Sequence, residues 1–131
     1  MAKPAQTSHA CVLVVDDHED TRFMLRTMLE MRGGVKVVEA GNGMKAIELA
    51  ESVNPDLILI DGSLPLVDGY EATRRIRELT ATRNVPIVFL SGHGQPAAEA
   101  KAFAAGCSDY LVKPFGLVKL DSLLERYLPP G

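Results

Sequence analysis

Asp16, Asp17, Asp61, Ser91 and Lys113 each stand just past an apolar run, where a side chain can leave a buried strand. Residues 12–15 lead into Asp16 and Asp17, and 57–60 into Asp61. Residues 87–90 lead into Ser91, and 110–112 into Lys113. If the runs are neighbouring parallel strands, their carboxyl ends share one edge of a sheet, the edge outside which open α/β folds bind ligands. Three carboxylates, a hydroxyl and an ammonium gathered there suit a divalent cation and an aspartate that takes up a phosphoryl group.

Carboxylates crowded in a sheltered crevice repel one another unless a cation offsets them. Hard oxygen donors with open positions suit Mg²⁺, which keeps waters and takes one or two carboxylates plus a phosphate. Capping of the next helix is the alternative reading of Asp16 and Asp17. It does not extend to Asp61, after which no periodic helix begins. Phosphoryl transfer to an aspartate needs alignment and charge neutralisation more than covalent help. Lys113 could supply a point charge to the phosphoryl oxygens and Ser91 a hydroxyl hydrogen bond. Taken singly, Lys113 also reads as a solvated lysine and Ser91 as a turn or N-cap residue.

The elements that must position these groups alternate five times between strand and helix patterns. The wholly apolar runs 12–15 and 57–60 read as strands buried on both faces. Residues 18–32 carry Met24, Met28 and Met31, beside Leu25 and Leu29, at helical spacing, and Gly33-Gly34 stops that helix. Residues 35–39 read as an edge strand. Asn42 is the expected N-cap of a helix to Val53, with Ile47 and Ala50 inward, ended by Asn54-Pro55. After a loop with Pro65, a helix of about 69–79 places Tyr70, Thr73, Ile76 and Leu79 on one side.

Residues 85–90 read as the fourth strand, with Pro86 at its start, where a missing N–H costs least. A fourth helix at 96–105 is rich in alanine, with Phe103 as its expected anchor and Gly106 as its end. The short run 110–112 reads as the other edge. Leu117, Leu120, Leu124 and Leu128 give a last helix before Pro129-Pro130. Five βα repeats predict an α/β fold, a doubly wound five-stranded parallel sheet with five helices in the flavodoxin-like order 2-1-3-4-5.

With 131 residues the chain suits one domain, and its formal charge of −3 argues against a nucleic-acid footprint. Arg74, Arg75 and Arg77 form the one basic cluster and read as a solvated helix face. No apolar stretch approaches the ~20 residues of a membrane helix, and no signal-peptide pattern opens the chain. Cys11 and Cys107 lack a metal-site spacing and read as core or near-core thiols in a reducing cytoplasm. Residues 1–10 read as a frayed tail, 11–128 as the domain, and 129–131 as a short C-terminal tail.

Over residues 11–127 the sequence resembles the receiver domain of two-component response regulators. The motifs that carry this are Val-Val-Asp-Asp at 14–17, Leu-Ile-Asp at 59–61, Leu64-Pro65, Asp68-Gly69, Leu90-Ser91-Gly92 and Lys113-Pro114-Phe115. The resemblance implies that Asp61 accepts a phosphoryl group from a histidine kinase or phosphotransfer protein. Asp17, Asp61 and the backbone carbonyl of Ser63 would then ligate Mg²⁺, with Asp16 acting through water. Ser91 and Tyr110 would form the switch, although Tyr110 alone also reads as a static edge-strand aromatic. A cis Lys113-Pro114 bond is implied too.

Ser63 and His93 match positions that tune phosphoryl hydrolysis, and Gly62 reads as loosening its loop. His93 itself reads as an exposed loop histidine rather than a general base. His18 reads as a first-turn helix residue rather than a metal ligand.

A receiver of this extent is expected to be the stand-alone type. Its output would reach a downstream protein through the face of helix four, strand five and helix five, with no membrane or direct DNA contact. Phosphorylation-dependent dimerisation is left open. Enzymatic activity beyond its own phosphorylation and dephosphorylation is not expected. A receiver module cut from a hybrid histidine kinase is the alternative. An aspartate-nucleophile phosphohydrolase would want a second carboxylate at position 63. A flavodoxin-like FMN carrier would not place Asp-Asp-His-Glu-Asp in its first phosphate-binding turn.

Overall fold

The computed structural model describes residues 10–92 and 94–128. Its strands are β1 (Ala10–Val15), β2 (Val35–Ala40), β3 (Leu57–Asp61), β4 (Ile87–Ser91) and β5 (Asp109–Val112). Its helices are α1 (Glu19–Arg32), α2 (Gly43–Val53), α3 (Gly69–Glu78), α4 (Pro96–Ala105) and α5 (Leu117–Tyr127), with a 3-10 turn at Thr80–Thr82. The strands form one parallel sheet in the order β2-β1-β3-β4-β5, as predicted.

Side chains alternate across a strand, so each apolar run feeds two cores. Val12, Val14, Leu57, Leu59, Val88, Leu90 and Leu111 pack with Leu25 and Leu29 of α1 and Leu120, Leu123 and Leu124 of α5. Leu13, Val15, Ile58, Ile60, Ile87 and Phe89 face the other way, toward the alanines of α2, Ala72 and Ile76 of α3, and Ala102 of α4. Helices therefore cover both faces, and β2 and β5 are the edges.

Several local expectations are corrected. Ala10 belongs to β1, because its N–H bonds to the Gly34 carbonyl at 3.0 Å and pairs it with β2. The rest of the expected tail, His93 and residues 129–131 lie outside the described residues. Val85 and Pro86 precede β4. Phe103 does not anchor α4; it is 43% exposed, and Ala102 and Ala105, three apart on one face of the helix, are the buried residues. Met24, Met31 and Leu117 also lie on outward faces. Asn42 caps α2 through a 2.8 Å bond from Lys45 N–H to its side chain, as expected.

Arg77 departs from its two neighbours. Arg74 and Arg75 pair with Glu71 on the exposed side of α3. The Arg77 guanidinium instead turns inward and donates to the carbonyls of Gly106, Thr82, Arg83 and Val85 and to the Ser108 hydroxyl. Burial lowers its pKa from the ordinary arginine value.

Candidate functional site

Strand register delivers the site. Val15 pairs with Ile60, so Asp16 and Asp61 follow at one level; Asp61 pairs with Leu90, and Ser91 with Val112, which puts Lys113 next. Asp16, wholly buried, has its backbone N–H on the Ala40 carbonyl at 3.1 Å. Its carbonyl accepts from Arg22 Nη1 at 2.7 Å, and Arg22 Nε donates to Glu39 at 2.9 Å. Sequence pattern gives no hint of that brace, because it joins α1 to the end of β2 across the sheet.

Lys113 Nζ lies 3.3 Å from Asp16 Oδ2 and 3.3 Å from Asp61 Oδ1, so one ammonium is shared by two carboxylates. Burial pushes the Asp61 carboxyl above its ordinary pKa; Lys113 opposes this and the Asp16 charge adds to it. Asp17, more exposed, completes the carboxylates. One donor atom each from Asp16, Asp17, His18 and Asp61 falls within 4.8 Å of the others. Three carboxylates against one ammonium leave surplus negative charge among hard oxygen donors, a set that fits Mg²⁺.

His18 is the N-cap of α1 rather than a first-turn residue, and neither Asp16 nor Asp17 takes the cap. Asp16 Oδ1 accepts from the His18 N–H at 2.8 Å. The ring then folds back over the acids, with Nδ1 3.3 Å from Asp16 Oδ1 and 3.1 Å from Asp17 Oδ1.

A cleft of about 440 Å³ opens beside the acids, lined by His18, Asp61, Gly62, Ser63, Tyr70, Ser91, Gly92 and Lys113. Ser63 N–H points to Asp61 Oδ1 over a long 3.4 Å. Two glycines set the cleft's shape. A side chain at Gly69 would reach the Asp61 carbonyl at 2.4 Å, so glycine lets α3 begin against the end of β3. Asp68 caps that helix through Glu71 N–H at 2.9 Å. At Gly62 the reason is space, since a Cβ would stand 2.5 Å from Phe89 Cε2.

Tyr110 does not line the cleft. Its ring stacks on Phe89 with centroids 5.9 Å apart, and Phe89 in turn meets Tyr70 at 4.7 Å. Tyr70, expected only as an inward residue of α3, thus joins the cleft to these rings, with Lys101 of α4 over its face at 4.2 Å. The Lys113-Pro114 bond is cis, as the resemblance implied. No helix among the described residues is long and apolar enough to cross a membrane.

The family model of the response regulator receiver domain matches residues 12–125. ResD, a transcriptional regulatory protein of Bacillus subtilis, is 42% identical over 125 residues, covering 92% of this chain but only 50% of ResD. The chain thus spans about half the length of that relative. The two-component response regulator ORR41 of Oryza sativa is 40% identical, with 88% of this chain and 92% of ORR41 covered. Among solved structures, the receiver domain of the sensor histidine kinase PA1611 from Pseudomonas aeruginosa superposes with a TM-score of 0.84 at 34% identity, covering 91% of this chain and 97% of that one. That structure holds a magnesium ion coordinated in its active site cleft. This chain belongs to the response regulator receiver domain family of two-component signalling.

Proposed function

We propose that Asp61 accepts a phosphoryl group from a histidine kinase or a phosphotransfer protein. The observation that carries this is the single ammonium of Lys113 between Asp16 and Asp61, beside a cleft that also presents Ser91. In the transfer an Asp61 carboxylate oxygen forms the new O–P bond as the N–P bond of the donor phosphohistidine breaks, leaving the electron pair on the imidazole. Asp17, Asp61 and the Ser63 carbonyl would hold Mg²⁺, with Asp16 acting through water. The metal supplies charge neutralisation at the phosphoryl oxygens. Lys113 leaves its shared position to meet the same oxygens.

Readout falls to Ser91 and Tyr110. The Ser91 hydroxyl turns to a phosphoryl oxygen, and the Tyr110 ring responds on its stack with Phe89. A downstream protein then docks on the face of α4, β5 and α5. Exposed Phe103, Val112 and Val118, and a shallow groove between β5 and α5 bordered by Tyr110, Val118 and Arg126, support that face. Output through a protein rather than DNA accords with the acidic net charge and with the pairing of Arg74 and Arg75 to Glu71.

Acetyl phosphate with Mg²⁺ should add one phosphoryl group to the wild type, read by intact mass, and Asp61→Asn should abolish the addition. A folded wild type whose mass does not change would overturn the proposal.

A further inference from the structure

We infer that His18 turns the acidic site into a mixed nitrogen–oxygen site, one that takes borderline transition cations such as Ni²⁺ or Cu²⁺ through its imidazole. The inference rests on the metal-holding role proposed for Asp17 and Asp61, and adds a ligand that Mg²⁺ does not require. His18 is fixed by its backbone: its N–H donates to Asp16 Oδ1 and its carbonyl accepts from Arg22 N–H at 3.1 Å. Its side chain makes no capping hydrogen bond, so the helix it begins makes no use of the ring. That side chain is 71% exposed, yet its Nδ1 is held within 3.3 Å of Asp16 Oδ1 and 3.1 Å of Asp17 Oδ1.

The dimensions suit an ion. Opposed ligands of an octahedral cation with bonds of about 2.1 Å stand roughly 4.2 Å apart. The donor atoms of Asp17, His18 and Asp61 already lie within 4.8 Å of one another, so closing on a cation takes only small side-chain shifts. Ligand chemistry then decides which ion gains. Carboxylate, carbonyl and water suit Mg²⁺, whereas imidazole favours transition ions. Mg²⁺ would keep water where Ni²⁺ or Cu²⁺ takes Nδ1. His18 therefore acts on the choice of cation and leaves the oxygen set unchanged.

The test titrates untagged full-length chain with Mg²⁺ and with Ni²⁺ by calorimetry, in the wild type and in His18→Phe. The Ni²⁺-to-Mg²⁺ affinity ratio should fall at least about tenfold in the variant, the scale on which ligand support acts, while Mg²⁺ affinity holds. Pulsed electron paramagnetic resonance of bound Cu²⁺ should show nitrogen modulation in a chain that keeps His18 but lacks the imidazoles of His9 and His93. This second readout stands even if His18→Phe does not fold. An unchanged ratio, or no nitrogen modulation, with Mg²⁺ still bound and Asp61 still phosphorylated, would overturn the role of His18 alone. A wild type that binds no divalent cation would overturn the metal site itself, and this inference with it.

Discussion

Lys113 and Arg77 are partly buried cations at opposite ends of the sheet, and they are held in different ways. At the carboxyl end, Lys113 is shared by two carboxylates at equal 3.3 Å distances, in a group where negative charge outnumbers positive. At the amino end, Arg77 spends its donors on four carbonyls and a hydroxyl, and among the described residues no carboxylate pairs with it. Directed hydrogen bonds fix a geometry, because each carbonyl has a set place in the backbone. A shared ammonium fixes little, and the surplus charge around it is open to a second cation. One end of the sheet is thus an anchor and the other is a site.

The sharpest way to break this contrast is at the anchor. Arg77→Met should cost roughly 2–4 kcal/mol, since it strands several partly buried carbonyls at once. A urea midpoint measures it. Arg77→Lys keeps the charge but not the fork, and should recover only a minor part. Full recovery by lysine would mean that charge, not geometry, holds the amino end.

The site should respond with the opposite sign. Asp61→Asn should stabilise the metal-free protein by about 1 kcal/mol, because it removes one charge from a crowded acid group. The pH dependence follows from the raised Asp61 pKa. The native state binds that proton more tightly than the unfolded state does. The stability that Asp61 contributes is therefore fully present below its unfolded pKa and is lost as pH rises through the folded one. The difference between wild type and Asp61→Asn, followed by thermal unfolding in a chelator, should grow over that interval and then level off. A difference that shrinks with rising pH would contradict the electrostatic account.

A third effect, of about the same size, is expected midway along α3, the helix that begins against Asp61 and carries Arg77 in its last turn. The Thr73 hydroxyl is buried without a hydrogen-bond partner. Thr73→Val keeps its shape and should add about 1 kcal/mol, read from the same urea curves.

The two ends also differ in how far the sequence discloses them. The site was legible because strand ends concentrate chemistry: an unbroken apolar run followed by an aspartate or a lysine gives both the strand and the side chain that leaves it. The anchor was not legible. Arg74, Arg75 and Arg77 look alike in composition, and only the packing of the β4 and β5 starts against α3 separates the third from the others. Phe103 misled for a related reason, since size argues for burial while the face of α4 that packs inward carries Ala102 and Ala105 instead. His18 stood next to Asp17 in plain view. Its role as cap, and the ring's return over the acids, depend on backbone angles that residue spacing does not reveal.

Gly62 and Phe89 carry a consequence for descent. The ring of one fills the space that any side chain on the other would need, at 2.5 Å from where a Cβ would begin. The two positions therefore compete for one volume, and a side chain at 62 requires the Phe89 ring to move or to shrink. A lineage that places a larger residue beside Asp61 must shift the Phe89 ring or accept a smaller residue on β4. Where the room comes by substitution, size alone couples the two positions, and they should change together.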